Sequence, residues 1–255
     1  MPDRFFHLTD QGQRRTSNQD HAASVSLPGG YILLVVADGV GGAGGGETAS
    51  EETVNAFVAT MWADEITEPE VALTKALGEA NRRVRELQKT DARLSNMATT
   101  LVSALIRGDD AWVINVGDSR GYRLRDGAIE ALTQDDSWIM EQVRSGAMTM
   151  EEAAKSPYQN VITRGVGVEE DLQVERIVHE QLSEGDVLFL CSDGLYRAVE
   201  PEVIARTLLD KPLANKAAER LIEQANEAGG PDNISIALYR HVKPVYDQDA
   251  PTISS

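Results

Sequence analysis

Tyr31-Ile-Leu-Leu-Val-Val-Ala-Asp38-Gly39-Val-Gly-Gly-Ala43-Gly-Gly-Gly-Glu47-Thr-Ala-Ser50 is the stretch whose reading decides this chain. The unbroken apolar run over 31–37 predicts a strand buried on both faces. Such a strand cannot carry a carboxylate in its middle, but it can present one rigidly at its mouth, where Asp38 stands. The glycines that follow permit positive φ and close approach of backbone to whatever the carboxylate binds. A glycine-rich turn with an incidental Asp would look the same in isolation. The arrangement, however, recurs further along.

Outward from this stretch, 5–8 and 21–27 read as strands, with Pro28-Gly29-Gly30 as a turn. Downstream, Ala49, Val54, Phe57, Val58 and Met61 recur at helical spacing. A second helix is expected over 69–89, with Val71, Ala72, Leu77, Ala80, Val84 and Leu87 as its buried stripe. Two consecutive helices argue against a βαβ repeat. Strands follow over 99–107, 111–116, 121–124 and 128–132, and the turn signals Gly108-Asp109-Asp110 and Asp126-Gly127 predict an antiparallel meander. Short helices are expected over 137–144 and 149–155, strands over 172–179 and 186–191, helices over 201–209 and 212–228, and a last strand over 233–242. The order is α+β, with helices segregated onto the faces of antiparallel sheets. No composition break marks a linker, so 1–242 reads as one domain and the polar stretch 243–255 as a disordered tail.

The apolar fraction of 42% suits a sizeable core, while 41 Asp and Glu against 24 Lys and Arg give a net charge of −17. That balance argues against nucleic acid or an anionic membrane surface as a partner. The one cysteine, Cys191, sits inside an apolar run and reads as a buried, inert thiol in a reducing compartment. No apolar run reaches membrane-span length and the N-terminus lacks a signal-peptide pattern, so a cytoplasmic location is expected.

Acidic residues stand at the mouths of several expected strands: Asp38, Asp118 after 112–116, Asp193 after 187–191, Asp232 before the last strand and Asp20 before an early one. Each alone reads as a turn or capping residue. Together they can converge on one edge of a sheet assembly. With no Cys or His cluster beside them, an all-oxygen donor set suits hard ions such as Mg²⁺ or Mn²⁺.

In chain order the segments are Thr9-Asp10-Gln11-Gly12-Gln13-Arg14-Arg15 with Asn18-Gln19-Asp20, then Val36-Ala37-Asp38-Gly39-Val40-Gly41-Gly42 with Gly46-Glu47, and Ala98-Thr99-Thr100. After these come Val116-Gly117-Asp118-Ser119-Arg120, Leu132-Thr133-Gln134-Asp135, Asn160-Val161-Ile162-Thr163-Arg164, Ser192-Asp193-Gly194-Leu195 and Pro231-Asp232-Asn233. This ordered set resembles the PPM (type-2C) metal-dependent protein serine/threonine phosphatases in their compact bacterial form. The resemblance implies a four-layer αββα sandwich, with two antiparallel sheets flanked by helix pairs. It places Asp38 as a bridge between two metals, the Gly39 carbonyl as a ligand, Asp193 and Asp232 on the first metal, and Asp20 on the second, directly or through water. Asp118 with Asp193 matches a third metal site, and Arg15 the arginine that grips the substrate phosphate. The implied cofactor is Mn²⁺ or Mg²⁺. The implied reaction is attack of a metal-bridging hydroxide on phosphoserine or phosphothreonine, with Asp38 and Arg15 as its catalytic residues. A flap over about 138–167 lies beside the site, and the expected partners are phosphoproteins of a Ser/Thr kinase pathway, with the chain itself a monomer.

Two positions depart from that pattern: Ala43 and Asp136 stand where histidines are usual, the first taken to protonate the leaving oxygen. Water or a neighbour such as His21 is the alternative proton source, although strand alternation turns His21 away from Asp20. A low-activity, phosphoprotein-binding domain is therefore the competing reading. A two-metal nuclease fits the carboxylates but not the charge.

Overall fold

The alternation of the strand over 31–37 generates two of the apolar layers of the molecule. Leu33, Val35 and Ala37 pack toward helices, while Leu34 and Val36 face a second sheet. The structure is a computed structural model that describes residues 4–41, 45–63 and 65–242; Ala43 and the tail over 243–255 lie outside the described residues.

The chain begins with β1 (Phe5–Asp10), β2 (Asp20–Leu27) and β3 (Tyr31–Val40), then α1 (Gly45–Ala63) and α2 (Pro69–Thr90). Next come β4 (Ala98–Thr99), β5 (Leu101–Arg107), β6 (Asp110–Val116), β7 (Arg120–Arg125) and β8 (Ala128–Ala131). The remainder is α3 (Trp138–Arg144), α4 (Met150–Ala154), β9 (Ile177–Gln181), β10 (Val187–Cys191), α5 (Asp193–Tyr196), α6 (Pro201–Asp210), α7 (Ala214–Glu227) and β11 (Ile234–Arg240).

One antiparallel sheet runs β2-β3-β5-β6-β9 with β4 added to the end of β3, and the other runs β1-β11-β10-β7-β8. α1 and α2 cover the first sheet through Phe57, Met61, Leu73 and Leu77. Val71, expected in the α2 stripe, is exposed, because the helix turns Leu73 and Ala76 to the sheet instead. α6 and α7 cover the second through Ile204, Leu208, Leu221 and Ile222, against Phe189, Ile236 and Leu238. Between the sheets lie Leu34, Val36, Val102, Val113, Leu188, Leu190 and Tyr239. The αββα sandwich is as expected.

Several expectations are corrected. β3 does not stop before its acid: it runs through Asp38-Gly39 to Val40, because β4 continues the ladder opposite Gly39 and Val40. The strand expected over 99–107 breaks at Thr100, whose amide donates to the Asp38 carbonyl at 2.9 Å and whose hydroxyl accepts from the Asp38 amide at 2.9 Å. The four-strand meander is split. β5–β6 and β7–β8 are hairpins, but β6 and β7 belong to different sheets, and Gly117 at φ 95° starts the crossing. The strand expected from 172 begins only at Ile177; earlier, the Gln173 carbonyl is taken by Arg164 at 2.7 Å. The short helix α5 after Cys191 was not expected.

Candidate active site

Asp20 and Asp38 enter from adjacent strands and are directly paired in the β2–β3 register, so their side chains share one face. The second sheet contributes from its own strand ends: Asp193 opens α5 just past β10, and Asp232 precedes β11. Ser192 joins the two halves. Its hydroxyl donates to Asp20 Oδ2 at 2.6 Å and accepts from the Ser235 amide at 2.9 Å.

Close backbone approach, not positive φ, is what the glycines supply here. A Cβ on Gly39 would lie 2.0 Å from the Gly46 carbonyl oxygen, and one on Gly194 would lie 2.0 Å from that of Asn233. No side chain larger than hydrogen fits at either.

Arg15 rides on the loop between β1 and β2, and Asn233 clamps that loop. The Asn233 amide group donates to the carbonyls of Gln11 and Ser17 at 2.8 and 2.9 Å, and its oxygen accepts from the Gln19 amide at 2.8 Å. Arg15 Nη2 then donates to Asp232 Oδ2 at 2.7 Å, while its side chain stays 47% exposed.

The result is a cavity of about 230 Å³ whose walls include Arg15, Asp38, Gly39, Asp118, Asp193 and Asp232. Asn160 and Ile162, from the segment between α4 and β9, close one side. Asp20 lies beneath this surface. All the acids and the arginine expected at the site therefore meet in one region. Thr100, Ser192 and Asn233 stand in the quoted motifs but carried no expected role, and Arg197 stands in none of them. For Arg197 the only local signal is its place four residues after Asp193.

The electrostatics of these acids are unfavourable to charge. Burial, then the charges of Asp193 and Asp232, push Asp20 up to about 7 despite hydrogen bonds from Ser192 and Ser235. Burial raises Asp118 to about 7 as well, with Asp193 adding to the rise. Asp38 is held well above the usual carboxylate range by burial and by Asp20, Asp193, Asp118 and Asp232. Asp193 is raised by burial, opposed by Arg197. Acids buried together in this way bind either protons or cations.

The residues present fit divalent cations. Asp20 Oδ1 and Asp193 Oδ1 are buried without a hydrogen-bond partner. A buried carboxylate oxygen left unpaired is costly unless something positive meets it. Among the described residues no three Asp, Glu, His or Cys side chains are arranged to hold an ion by themselves. Magnesium and manganese do not require that: they take one or two carboxylates and complete their shells with carbonyls and water.

None of the four histidines lines the cavity. His21 lies near His7, whose pKa is lowered by burial and then by the His21 charge. His179 pairs with Asp110 at 2.7 Å, and His241 with Asp109 at 3.1 Å. Asp136, at the other departing position, accepts from the Gly117 amide at 3.2 Å and faces Arg164 at 3.7 Å. Arg120 is likewise structural, forked onto Asp135 at 2.9 and 2.7 Å. Cys191 is fully buried, its thiol pushed up to about 12 by burial.

Residues 9–235 match the family described as protein phosphatase 2C. The chain is 34% identical over 237 residues to the serine/threonine phosphatase stp of Listeria monocytogenes, covering 90% of this chain and 92% of that one. A solved serine/threonine phosphatase of S. agalactiae superposes with a TM-score of 0.86 at 36% identity, covering 93% of this chain and 99% of that one. The catalytic domain of the serine threonine protein phosphatase PstP, solved with 2 manganese ions, superposes at 0.83 and 31% identity, covering 94% and 98% of the two chains.

Proposed function

The chain belongs to the protein phosphatase 2C family, and on that premise we propose that it hydrolyses phosphoserine and phosphothreonine monoesters in proteins as a metal-dependent phosphatase. One observation carries the reading: Asp38, Asp193 and Asp232, delivered by two different sheets, meet beside Arg15 in one cavity, above buried acid oxygens that lack partners. A phosphatase-like binding domain is not favoured, since the relatives bear the names of phosphatases.

In this reading Asp38 and the Gly39 carbonyl would help hold two divalent cations, with Asp193 and Asp232 at one and Asp20 at the other, directly or through water. When bound, such a pair activates water near neutral pH and offsets charge on the phosphoryl oxygens. The all-oxygen donors support Mn²⁺ or Mg²⁺, and the manganese in PstP supports the former.

The chain's own groups do the positioning. Thr100 pins the Asp38 backbone at both its amide and its carbonyl, so the carboxylate is held where the strand puts it. Arg15 is a planar fork suited to two phosphoryl oxygens, and it exchanges Asp232 for them when substrate arrives. Asn160 and Ile162 form the wall that a phosphopeptide must pass.

A Ser/Thr kinase pathway is the matching source of substrate. The net charge of −17 speaks against nucleic acid and anionic membrane as partners, and no helix among the described residues is long and apolar enough to cross a membrane. A cytoplasmic monomer fits these features.

The test is hydrolysis of p-nitrophenyl phosphate and of a phosphothreonine peptide with and without manganese. Turnover should vanish in chelator and in Asp38→Ala. Turnover indifferent to chelator overturns the assignment.

A further inference from the structure

Arg197 directly follows α5 and stands four residues after Asp193, a spacing at which side chains on a helical turn meet. Its Nη1 lies 3.2 Å from Asp193 Oδ2 and its Nη2 3.4 Å from Asp118 Oδ2. Both carboxylates are buried, at 5% exposure for Asp118 and 6% for Asp193. The same guanidinium donates to the Gln159 carbonyl at 3.1 Å and to Asn160 Oδ1. One side chain thus joins two buried acids to the flap.

Two carboxylates sharing a buried space need a positive charge between them. An oxygen-lined gap of this kind would otherwise suit a hard divalent ion. Here the charge is tethered to the chain, never leaves, and cannot be lost by deprotonation. Its fork also matches two oxygens from two different acids. Asp193 Oδ1 remains unpartnered, so Asp193 can still face another cation while its Oδ2 is held.

We propose that Arg197 is the built-in counter-cation of the Asp118–Asp193 pair, excluding a divalent ion from that gap and fastening residues 159–160 of the flap to it. The third ion implied by the family resemblance therefore finds its place filled in this chain. The inference shares Asp193 with the two-cation reading above and is otherwise separable from it.

Equilibrium dialysis of the full chain against saturating MnCl₂, with bound metal counted by mass spectrometry, tests it. Arg197→Met should bind one more Mn²⁺ per chain than the parent, and Asp118→Asn in that background should remove the extra ion. Trypsin cleavage after Lys155 in the flap should become several-fold faster in Arg197→Met. In the parent, Asp118→Asn should leave the count unchanged; this arm decides the matter even if Arg197→Met does not fold. Loss of an ion from the parent on Asp118→Asn, or equal counts for the parent and Arg197→Met, overturns the proposal. A parent that binds no manganese while Arg197→Met gains one ion sinks the two-cation reading and leaves this one standing.

Discussion

Asp20 stands opposite Asp38 in the ladder between β2 and β3, so the first sheet brings two carboxylates to one face before the second sheet adds any. Neighbouring acids without a counter-ion destabilise the fold, and the divalent cations proposed for catalysis would relieve them. Asp38→Asn should therefore melt higher than the parent in chelator, by about 1–2 kcal/mol of relieved repulsion and burial cost. Its manganese-dependent activity should fall by at least about 10²-fold, as loss of several kcal/mol of charge stabilisation requires. Calorimetry in EDTA and a p-nitrophenyl phosphate assay read both; a variant that melts lower in EDTA contradicts the argument.

Arg15→Lys keeps the charge but loses the fork. With about 1.5–3 kcal/mol at stake for a charged hydrogen bond, KM for p-nitrophenyl phosphate should rise about 10-fold or more, and inhibition by inorganic phosphate should weaken in parallel. An unchanged KM means that Arg15 does not touch the phosphate.

Asp186 is a structural counterpart, only 2% exposed. It accepts from Arg125 Nε at 2.9 Å, Arg125 Nη2 at 2.6 Å and the Ser183 amide at 2.7 Å. Burial alone would raise its pKa, but the Arg125 fork and the Ser183 amide outweigh it and hold the group below the usual range. A depressed folded-state value means the stabilisation is complete above about pH 4 and is lost as pH falls through the lower value. Asp186→Ala should cost about 3 kcal/mol at pH 7, and less at pH 3. Urea titrations at the two pH values check this; a deficit that grows on acidification contradicts it.

Cys191, with its thiol raised to about 12 by burial, should not react with a thiol reagent at pH 8 in the folded protein. One equivalent should appear on adding guanidinium. Labelling of the native protein that abolishes activity would give the thiol a role it is denied here.

Ala43→His restores a proton donor at the position where the family usually carries one. Turnover of a phosphoserine peptide should rise by up to about 10²-fold, with little change for p-nitrophenyl phosphate, whose leaving group needs no proton. Equal effects on the two substrates rule out the proton-donor explanation.

Local pattern carried a large part of this molecule. The apolar run over 31–37, the helical stripe of α1, and the turn signals at Gly108 and Asp126 each encode burial or chain reversal within a few residues, and each is seen in the fold. The α2 stripe is seen in part, since Leu77, Ala80 and Val84 are buried but Val71 is exposed. The acids at Asp20, Asp38, Asp118, Asp193 and Asp232 were legible by the same means, as breaks at the ends of apolar runs. Which of them meet was not, because their convergence depends on two sheets packing face to face through Leu34, Val36, Leu188 and Leu190.

The same limit explains the errors. Hairpin signals are local, so β5–β6 and β7–β8 were readable, but nothing near Gly117 says that the chain changes sheets there. Thr100 interrupts a good strand pattern because its partner is the backbone of Asp38, far away in sequence. A four-residue helix such as α5 has no period to detect, so the turn that lays Arg197 over Asp118 and Asp193 was invisible. The sequence by itself determined the main apolar runs that are buried and which acids stand at strand ends. Only the tertiary structure decided which charges face one another, because that is set by packing between elements distant along the chain.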